Sequence, residues 1–446
     1  MDGIASSFLR FHKRYSKYFV TKTKSLSTQS QNYLSGLMQA IKKNIERMIE
    51  VVPDANYQAV HNFVSESPWE HAPVTGQVAR DCERLLGGGP DTSLIIDESG
   101  LPKKGKESVG VARQWCGRLG KLDNCQVGVF AALSCGARVS LIDERLYLPE
   151  EWTKDKKRCR KVGVPADVRF KTKSELAYDM ILAQRAMGTR FAWVGLDGGY
   201  GKDTPLLCAL DDAPEVFVAD VHKDQLIYLA NPAPFIPERQ GKIGKFPTRL
   251  VAKIKGLRVD KWVARQPKTA WQRLTIRDAT KGKLQADFLF RRVWIWNKAE
   301  AKARCWHLVV RREEGAEETI KYSLSNAPEV ITKRRLAFMQ GQRFFVERAL
   351  QDAKSHAGMD HYQIRGWRAW HHHMALVMMA MLFMLETRIN NKDRIPLLSC
   401  GDIETLLAHF LPRRDVTKAE VLRQMQYRHH QRQASIDSAY SRQRGG

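Results

Sequence analysis

Eight cysteines are scattered through 446 residues with no CxxC pair and no Cys/His ladder at zinc spacing. That excludes a disulfide framework and a structural zinc site as organising elements. No stretch reaches the roughly eighteen apolar residues of a membrane span. The nearest candidate, MALVMMAMLFML at Met374–Leu385, is short, follows three histidines and reads as a buried helix. The N-terminal MDGIASSFLRFHKRYSK lacks the apolar centre of a signal peptide, so a cytoplasmic location and no membrane are expected. Acidic residues are in deficit, 48 against 73 Lys and Arg, leaving a formal charge of +25. An excess this large points to a polyanionic partner, nucleic acid before an acidic membrane face. A complete phosphate-binding loop is missing too. GLPKKGKE, Gly100 to Glu107, nearly spells one, but Glu107 stands where a Ser or Thr must hold magnesium, and its charge would repel a triphosphate.

What is present suffices for a globular protein of roughly two to four domains, with 43% hydrophobic residues. Residues 1–90 read as a basic helical domain able to present itself to DNA, or alternatively as a helical cap on the next domain. In YLSGLMQAIKKNIERMIEVV, Leu37, Ile41, Ile45 and Ile49 recur every four residues. From 91 to 239 the rhythm becomes three strands, a helix, a strand, a helix and a strand, which predicts a mixed α/β sheet with helical cover. Residues 240–332 carry β-rich runs loaded with Arg, Lys and Trp and look inserted. Helices return over 333–397. The basic region 398–446 is polar and expected to be disordered at its end.

Asp97 and Asp197 share one local setting, an apolar strand that runs into a carboxylate and then a glycine-containing turn. Strands of an open α/β sheet place sites at their carboxyl ends, so two such strands bring two carboxylates together for a hard cation such as Mg²⁺. Taken singly, each Asp also suits a turn or helix cap. Glu98 is no substitute, because its side chain points to the other face of the strand. In QGQRFFVERALQDAKSHAG, a helical projection puts Arg343, Glu347 and Lys354 within about 40° of one another, with Phe345 and Ala349 opposite. Glu347 can then reach a metal while Arg343 and Lys354 grip phosphate; the bland alternative is a solvated Arg/Glu pair. His371, His372 and His373 face different directions on a helix and cannot share one ion; at most one would touch a phosphate backbone.

With DESGLPKKGKESVGVARQWCGRLGKLDNCQVGV, GLDGGYG and FVERALQDAKSHAGMDHYQIRGWRAWHHH in view, the chain resembles bacterial insertion-sequence transposases of the DDE superfamily, in particular the cut-and-paste insertion-sequence 701 group. The resemblance implies an RNase H-like catalytic core with a β-rich insertion and an N-terminal helical DNA-binding domain. It implies a metal-dependent DNA transposase, endonuclease and strand transferase, acting on terminal inverted repeats and target DNA as a homodimer near the nucleoid. Asp97, Asp197 and Glu347 would bind two Mg²⁺ ions, with Mn²⁺ a possible substitute. Related families carry Tyr, two residues, Arg, three residues, Glu, six residues, Lys. Arg343, Glu347 and Lys354 keep that spacing, but Gln340 holds the tyrosine position. Lys103, Lys104 and Lys106 would lie beside the DNA backbone just past Asp97. Trp296, or its neighbour Trp294, would stack on a displaced base. The alternatives are a transposase-derived DNA-binding protein that no longer cuts, and a structure-selective nuclease that cuts without joining.

Overall fold

The computed structural model describes residues 3–239, 245–279, 282–313 and 320–444. Five helices come first: α1 (Ile4–Tyr15), α2 (Ser27–Gln39), α3 (Ile45–Val51), α4 (Tyr57–Ser65) and α5 (His71–Leu86). The periodic run across α2 and α3 is broken where the sequence pattern suggested continuity. Asn44 caps α3 by accepting the Arg47 N–H, and Ile41 in the break is 95% exposed. A good N-cap outcompetes a continuous helix there.

The middle of the chain supplies β1 (Thr92–Pro102), β2 (Ala112–Cys116), β3 (Lys121–Cys135), β4 (Arg138–Tyr147), α6 (Glu150–Lys154), α7 (Lys156–Lys161) and α8 (Lys173–Ala186). Next come β5 (Trp193–Leu196), α9 (Gly198–Gly201), α10 (Thr204–Asp212), β6 (Phe217–Val221), the short pair β7 (Leu226–Ile227) and β8 (Leu257–Arg258), and α11 (Val259–Val263). Four longer strands follow: β9 (Gln272–Ala279), β10 (Gly282–Ile295), β11 (Arg304–Glu313) and β12 (Ile320–Ser325). Helices α12 (Lys333–Gln342), α13 (Phe344–Ala357), α14 (Trp367–Asn390), α15 (Cys400–Phe410) and α16 (Lys418–Arg444) complete the chain.

These elements form two compact units, Met1–Val74 with Ala353–Ile364 and Arg368–Gly446, and Thr75–Asp352 with Arg365–Trp367. The first is helical. Its core gathers aromatic rings, Phe8 edge-on to Phe383 at 5.1 Å and Phe19 to Trp69 at 5.0 Å. The apolar run of α14 is buried throughout, and no helix among the described residues is long and apolar enough to cross a membrane. His371, His372 and His373 are buried as well, so none is placed to touch a phosphate backbone. Both ring nitrogens of His372 lie near carbonyls, Nδ1 2.9 Å from Val64 and Nε2 2.8 Å from Trp69; burial pushes its pKa down to about 3, so the neutral ring donates to one of the two. Helix α16 runs to Arg444 where the sequence suggested disorder. It contains neither Pro nor Gly, and the Glu420–Arg423 pair and the Gln433–Asp437 hydrogen bond support it at helical spacing.

The second unit is built on a ten-stranded sheet in the order β2-β3-β1-β5-β6-β12-β11-β10-β9, with β4 alongside β3. Strands β1, β3 and β4 make an antiparallel meander, whereas β1, β5 and β6 run parallel. The Arg- and Trp-rich strands continue the same sheet, because β12 joins β6 antiparallel from Val218↔Ser325 to Val221↔Tyr322. Helix α8 covers β3 and β4, started by a Thr172–Glu175 capping box and ended at Gly188, φ +81°. Helix α12 lies against β9, β6 and β11. Gly341 permits that approach, since a Cβ there would stand 2.2 Å from Ile276 Cγ2.

Candidate active site

The parallel ladders set the geometry. The last β1–β5 pair is Ile96↔Leu196, and the last β5–β6 pair is Leu196↔Ala219. Asp97, Asp197 and Asp220 are therefore the next residues on three neighbouring strands, one carboxylate per strand in a single row. Adjacent strands lie about 4.8 Å apart, so each carboxylate neighbours the next.

Local structure fixes each one. Asp97 Oδ1 accepts the Glu98 N–H at 2.7 Å. Asp197 caps α9, its Oδ1 taking the Gly199 and Tyr200 N–H groups at 2.9 and 3.1 Å. In each carboxylate this leaves Oδ2 for another ligand. The GLDGGYG turn needs its last glycine, because a Cβ on Gly201 would fall 1.8 Å from the Asp220 carbonyl oxygen. That contact packs the Asp197 turn directly onto the Asp220 strand. Glu98 points away from the row and pairs with Lys173 at 2.7 Å, as strand alternation requires.

Arg343 ties the later helices to this row. It stands at the junction between α12 and α13, not inside one continuous helix as the sequence pattern suggested. Its Nε donates to Asp220 Oδ2 at 2.9 Å, and its Nη2 reaches Glu347 Oε1, also at 2.9 Å. Glu347 remains half open, its side chain 51% exposed, while Phe345, Ala349 and Leu350 are buried. Asp97, Asp197, Glu347 and Arg343 are brought together: burial first, then the Asp197 and Glu347 charges, push the Asp97 carboxyl up to about 7 against the opposing pull of Arg343. Although the Asp97 residue is only half-buried, its carboxyl is closely surrounded by protein. A cluster of carboxylates that one guanidinium leaves incompletely neutralised, with only oxygen donors, fits a hard divalent cation.

Asp220 escaped the sequence reading, yet its strand, EVFVADV, carries the signal that singled out Asp97 and Asp197, an apolar run ending in Asp. Its Oδ1 accepts the Ser323 hydroxyl at 2.6 Å, and Gln340 Nε2 donates to Ser323 Oγ at 2.7 Å. Gln340, 5% exposed, thus faces inward and completes a chain Gln340–Ser323–Asp220–Arg343–Glu347.

The remaining candidates lie further out. Lys354 is half-buried two turns along α13 from Glu347. Asp97 is not the end of its strand, since β1 stays paired with β3 as far as Pro102↔Cys125. Lys103, Lys104 and Lys106 therefore begin roughly 20 Å along the strand from Asp97. They do not adjoin it as the sequence suggested. Their loop leads into a strand and offers no helix N-terminus to phosphate, and Glu107 pairs with Lys161 at 2.6 Å. Trp296 is half-buried, its Nε1 donating to the Glu300 carbonyl at 2.6 Å. It lines a cleft of about 800 Å³ with Lys202, His222, Lys223, Arg258 and Lys298. Lys202 follows the Asp197 helix and His222 lies two residues past Asp220, so this cationic cleft opens beside the acidic row. Trp294 does not line it; its backbone bridges Tyr228.

Comparison with known proteins bears on this arrangement. Residues 19–283 match the model of a family described as DDE superfamily endonuclease. The match includes Asp97, Asp197 and Asp220 and ends before Glu347. The chain is also 25% identical over 325 residues to the "Probable transposase for insertion sequence element IS701" of Microchaete diplosiphon, across 72% of this chain and 73% of that one. Matched over more than half its length, the chain belongs to the DDE superfamily of endonucleases.

Proposed function

We propose that this protein is a transposase that cuts DNA at transposon ends and joins the freed 3′-hydroxyls to target DNA. The observation that carries the reading is the in-register row of Asp97 and Asp197 with Glu347 beside it, electrostatically coupled and joined to Arg343. The strand order, three antiparallel strands followed by two parallel ones, supports an RNase H-like core.

Asp97 Oδ2, Asp197 Oδ2 and Glu347 would hold two Mg²⁺ ions, or Mn²⁺ in their place. When bound, those ions would supply an activated nucleophile and charge stabilisation for the leaving oxygen. The residues of the chain do the rest. Arg343, released from Glu347 as that carboxylate turns to its ligand role, grips the phosphate beside the cut, and Lys354 grips the next along the same helix face. Trp296 offers a stacking surface in a cleft whose lysines and arginine balance phosphate charge. Lys103, Lys104 and Lys106 hold the duplex away from the cut. The N-terminal helices read the terminal inverted repeats, and two copies of the chain pair the two ends.

The deciding experiment incubates the purified full-length chain and Mg²⁺ with duplexes copied from the DNA flanking its coding sequence. Cleavage followed by strand-transfer products is expected. Cutting without joining would make the protein a structure-selective nuclease. Equal cutting by Asp197→Ala would overturn the assignment of the site.

A further inference from the structure

The β1–β3 ladder extends well past the carboxylate row to Pro102↔Cys125, and β3 continues to Lys121, paired there with β2. The β2–β3 hairpin turns back beside β1: its turn, Gly117–Leu119, contacts that strand, and Cys116 packs over Gly100. Its register places Trp115 directly opposite Leu122, and Arg113 opposite Asn124, so all four side chains share one face. Trp115 is 52% exposed and Leu122 57%, with Leu119 on the intervening turn also exposed. A hairpin face that offers an aromatic ring and a leucine to water is a liability unless something covers it.

Charge identifies what does. Between Pro102 and Asn124 six cations, Lys103, Lys104, Lys106, Arg113, Arg118 and Lys121, stand against two carboxylates, Glu107 and Asp123. Asn124 gathers the lysine loop onto the hairpin. Its Nδ2 donates to the carbonyls of Lys103, at 2.5 Å, and Gly105, at 2.9 Å, while its own carbonyl accepts the Lys103 N–H at 2.9 Å. Arg158 holds the far side of the loop through the Lys106 carbonyl at 2.7 Å. The loop is thereby fixed beside the Trp115–Leu122 pair, a cation-rimmed apolar surface that suits a duplex groove between two phosphate backbones.

We propose that the β2–β3 hairpin is a double-stranded-DNA platform, with Trp115 and Leu122 packed against the groove and Arg113, Lys121 and the lysine loop on the flanking phosphates. The proposal rests on the transposase reading and adds a place to it. Asp97 pairs with Phe130, and Leu122 lies eight residues further along the same strand. The return of the hairpin toward β1 makes the direct path shorter than that: Gly100 is three residues past Asp97, Cys116 packs on it, and Trp115 comes next, within roughly 20 Å of the carboxylate. That distance corresponds to about six base pairs at the roughly 3.4 Å rise of the duplex.

The test uses the full-length chain in EDTA with duplexes copied from the flanking end of the element. One duplex runs about twenty base pairs inward from the cut, and the other stops at about three. Trp115→Ser/Leu122→Ser and, separately, Arg113→Ala/Lys121→Ala are compared with the parent by anisotropy, hydroxyl-radical footprinting and sedimentation. The expected result is an affinity loss of about tenfold on the long duplex and none on the short one, with protection lost about six base pairs from the cut and kept at the cut. The Arg113/Lys121 variant should also show a shallower salt dependence. Unchanged affinity and footprint in variants that remain folded would overturn the platform while leaving the transposase reading intact. A variant that loses self-association but keeps the footprint would assign the face to a second copy of the chain and overturn it equally. Failure of the parent protein to bind either duplex would instead strike at the transposase reading itself.

Discussion

In the helical unit, Lys43 is 1% exposed and gives its Nζ to Glu404 Oε1 at 2.6 Å, while His356 Nδ1 meets the other oxygen at 2.7 Å. In the sheet unit, Asp97, Asp197, Asp220 and Glu347 gather where Arg343 is the cation bonded to two of them. The first cluster matches its acid with bases, as a structural ion pair must when water is excluded. The second holds more acid than its bonded base can neutralise, and burial with the neighbouring charges drives Asp97 up to about 7. Compensated buried charge fixes a fold; uncompensated charge of one sign marks a place where a cation from outside completes the balance. The difference is open to experiment from both sides.

Removing a carboxylate from the uncompensated cluster should have the largest effect on activity. Asp197→Ala is expected to lower the single-turnover cutting rate about a thousandfold or more, because under the proposed function it removes a metal ligand and with it several kcal/mol of charge stabilisation. The folded state should survive, as judged by an unchanged far-ultraviolet spectrum. Loss of folding along with activity would mean that Asp197 serves as a helix cap and no more.

The compensated cluster should answer in the opposite currency, stability without chemistry. Lys43→Met leaves Glu404 facing a partly buried space without its cation, which should destabilise by about 3 kcal/mol in urea unfolding. Adding Glu404→Gln should recover most of that loss. A single variant as stable as the parent would show that the pair contributes nothing measurable.

The same contrast explains what could be read from the sequence. Each of Asp97, Asp197 and Asp220 ends or interrupts a short unbroken apolar run, which makes such buried strands legible from local pattern. Glu347 and Arg343 were visible as an i,i+4 pair on one helix face. Asp220 was missed because its significance depends on register: only the pairing Leu196↔Ala219 puts it level with Asp197. The inward role of Gln340 depends likewise on Ser323, a residue on another strand. The continuation of the sheet through β12 was not legible either, since strand patterns reveal which segments are extended but not which edge they join. Sequence also placed the lysine loop too near Asp97, because the paired segment from Glu98 to Pro102 includes a glycine that resembles a turn. Gly100 is there to admit Cys116, whose Sγ would lie 2.8 Å from a Cβ at that position.

A pH series sharpens the comparison at Asp97. Its carboxyl titrates near 7 in the metal-free fold, against about 3.9 in an unfolded chain. Between those values the folded state holds a proton that the unfolded state has lost. The Asp97 contribution to stability therefore falls as pH rises from about 4 to about 7. Asp97→Asn removes this dependence and should melt on the order of 4 °C above the parent at pH 8 in EDTA, with the two converging near pH 4. Mg²⁺ needs the ionised form, so calorimetry should register about one proton released per binding event at pH 6 and almost none at pH 8.5. Parallel melting curves across the series would mean that Asp97 is already ionised and the cluster compensated after all.

The smallest effect should come from the relay behind Arg343. Ser323→Ala removes the hydroxyl that donates to Asp220 and accepts from Gln340, while leaving the Arg343–Asp220 bond in place. A stability loss of about 1 kcal/mol is expected from the buried hydrogen bonds. If the relay only supports the fold, cutting at saturating Mg²⁺ and the Mg²⁺ concentration for half-maximal rate should both stay put. If it aims Arg343 at Glu347, Asp220 gains freedom to hold the guanidinium elsewhere, Glu347 loses its set position, and the half-maximal Mg²⁺ concentration should rise about threefold. Ser323→Thr, which keeps the hydroxyl, should restore it. A shift that Thr fails to rescue would place the cause in packing against Gln340, and the acidic row would then owe its geometry to strand register alone.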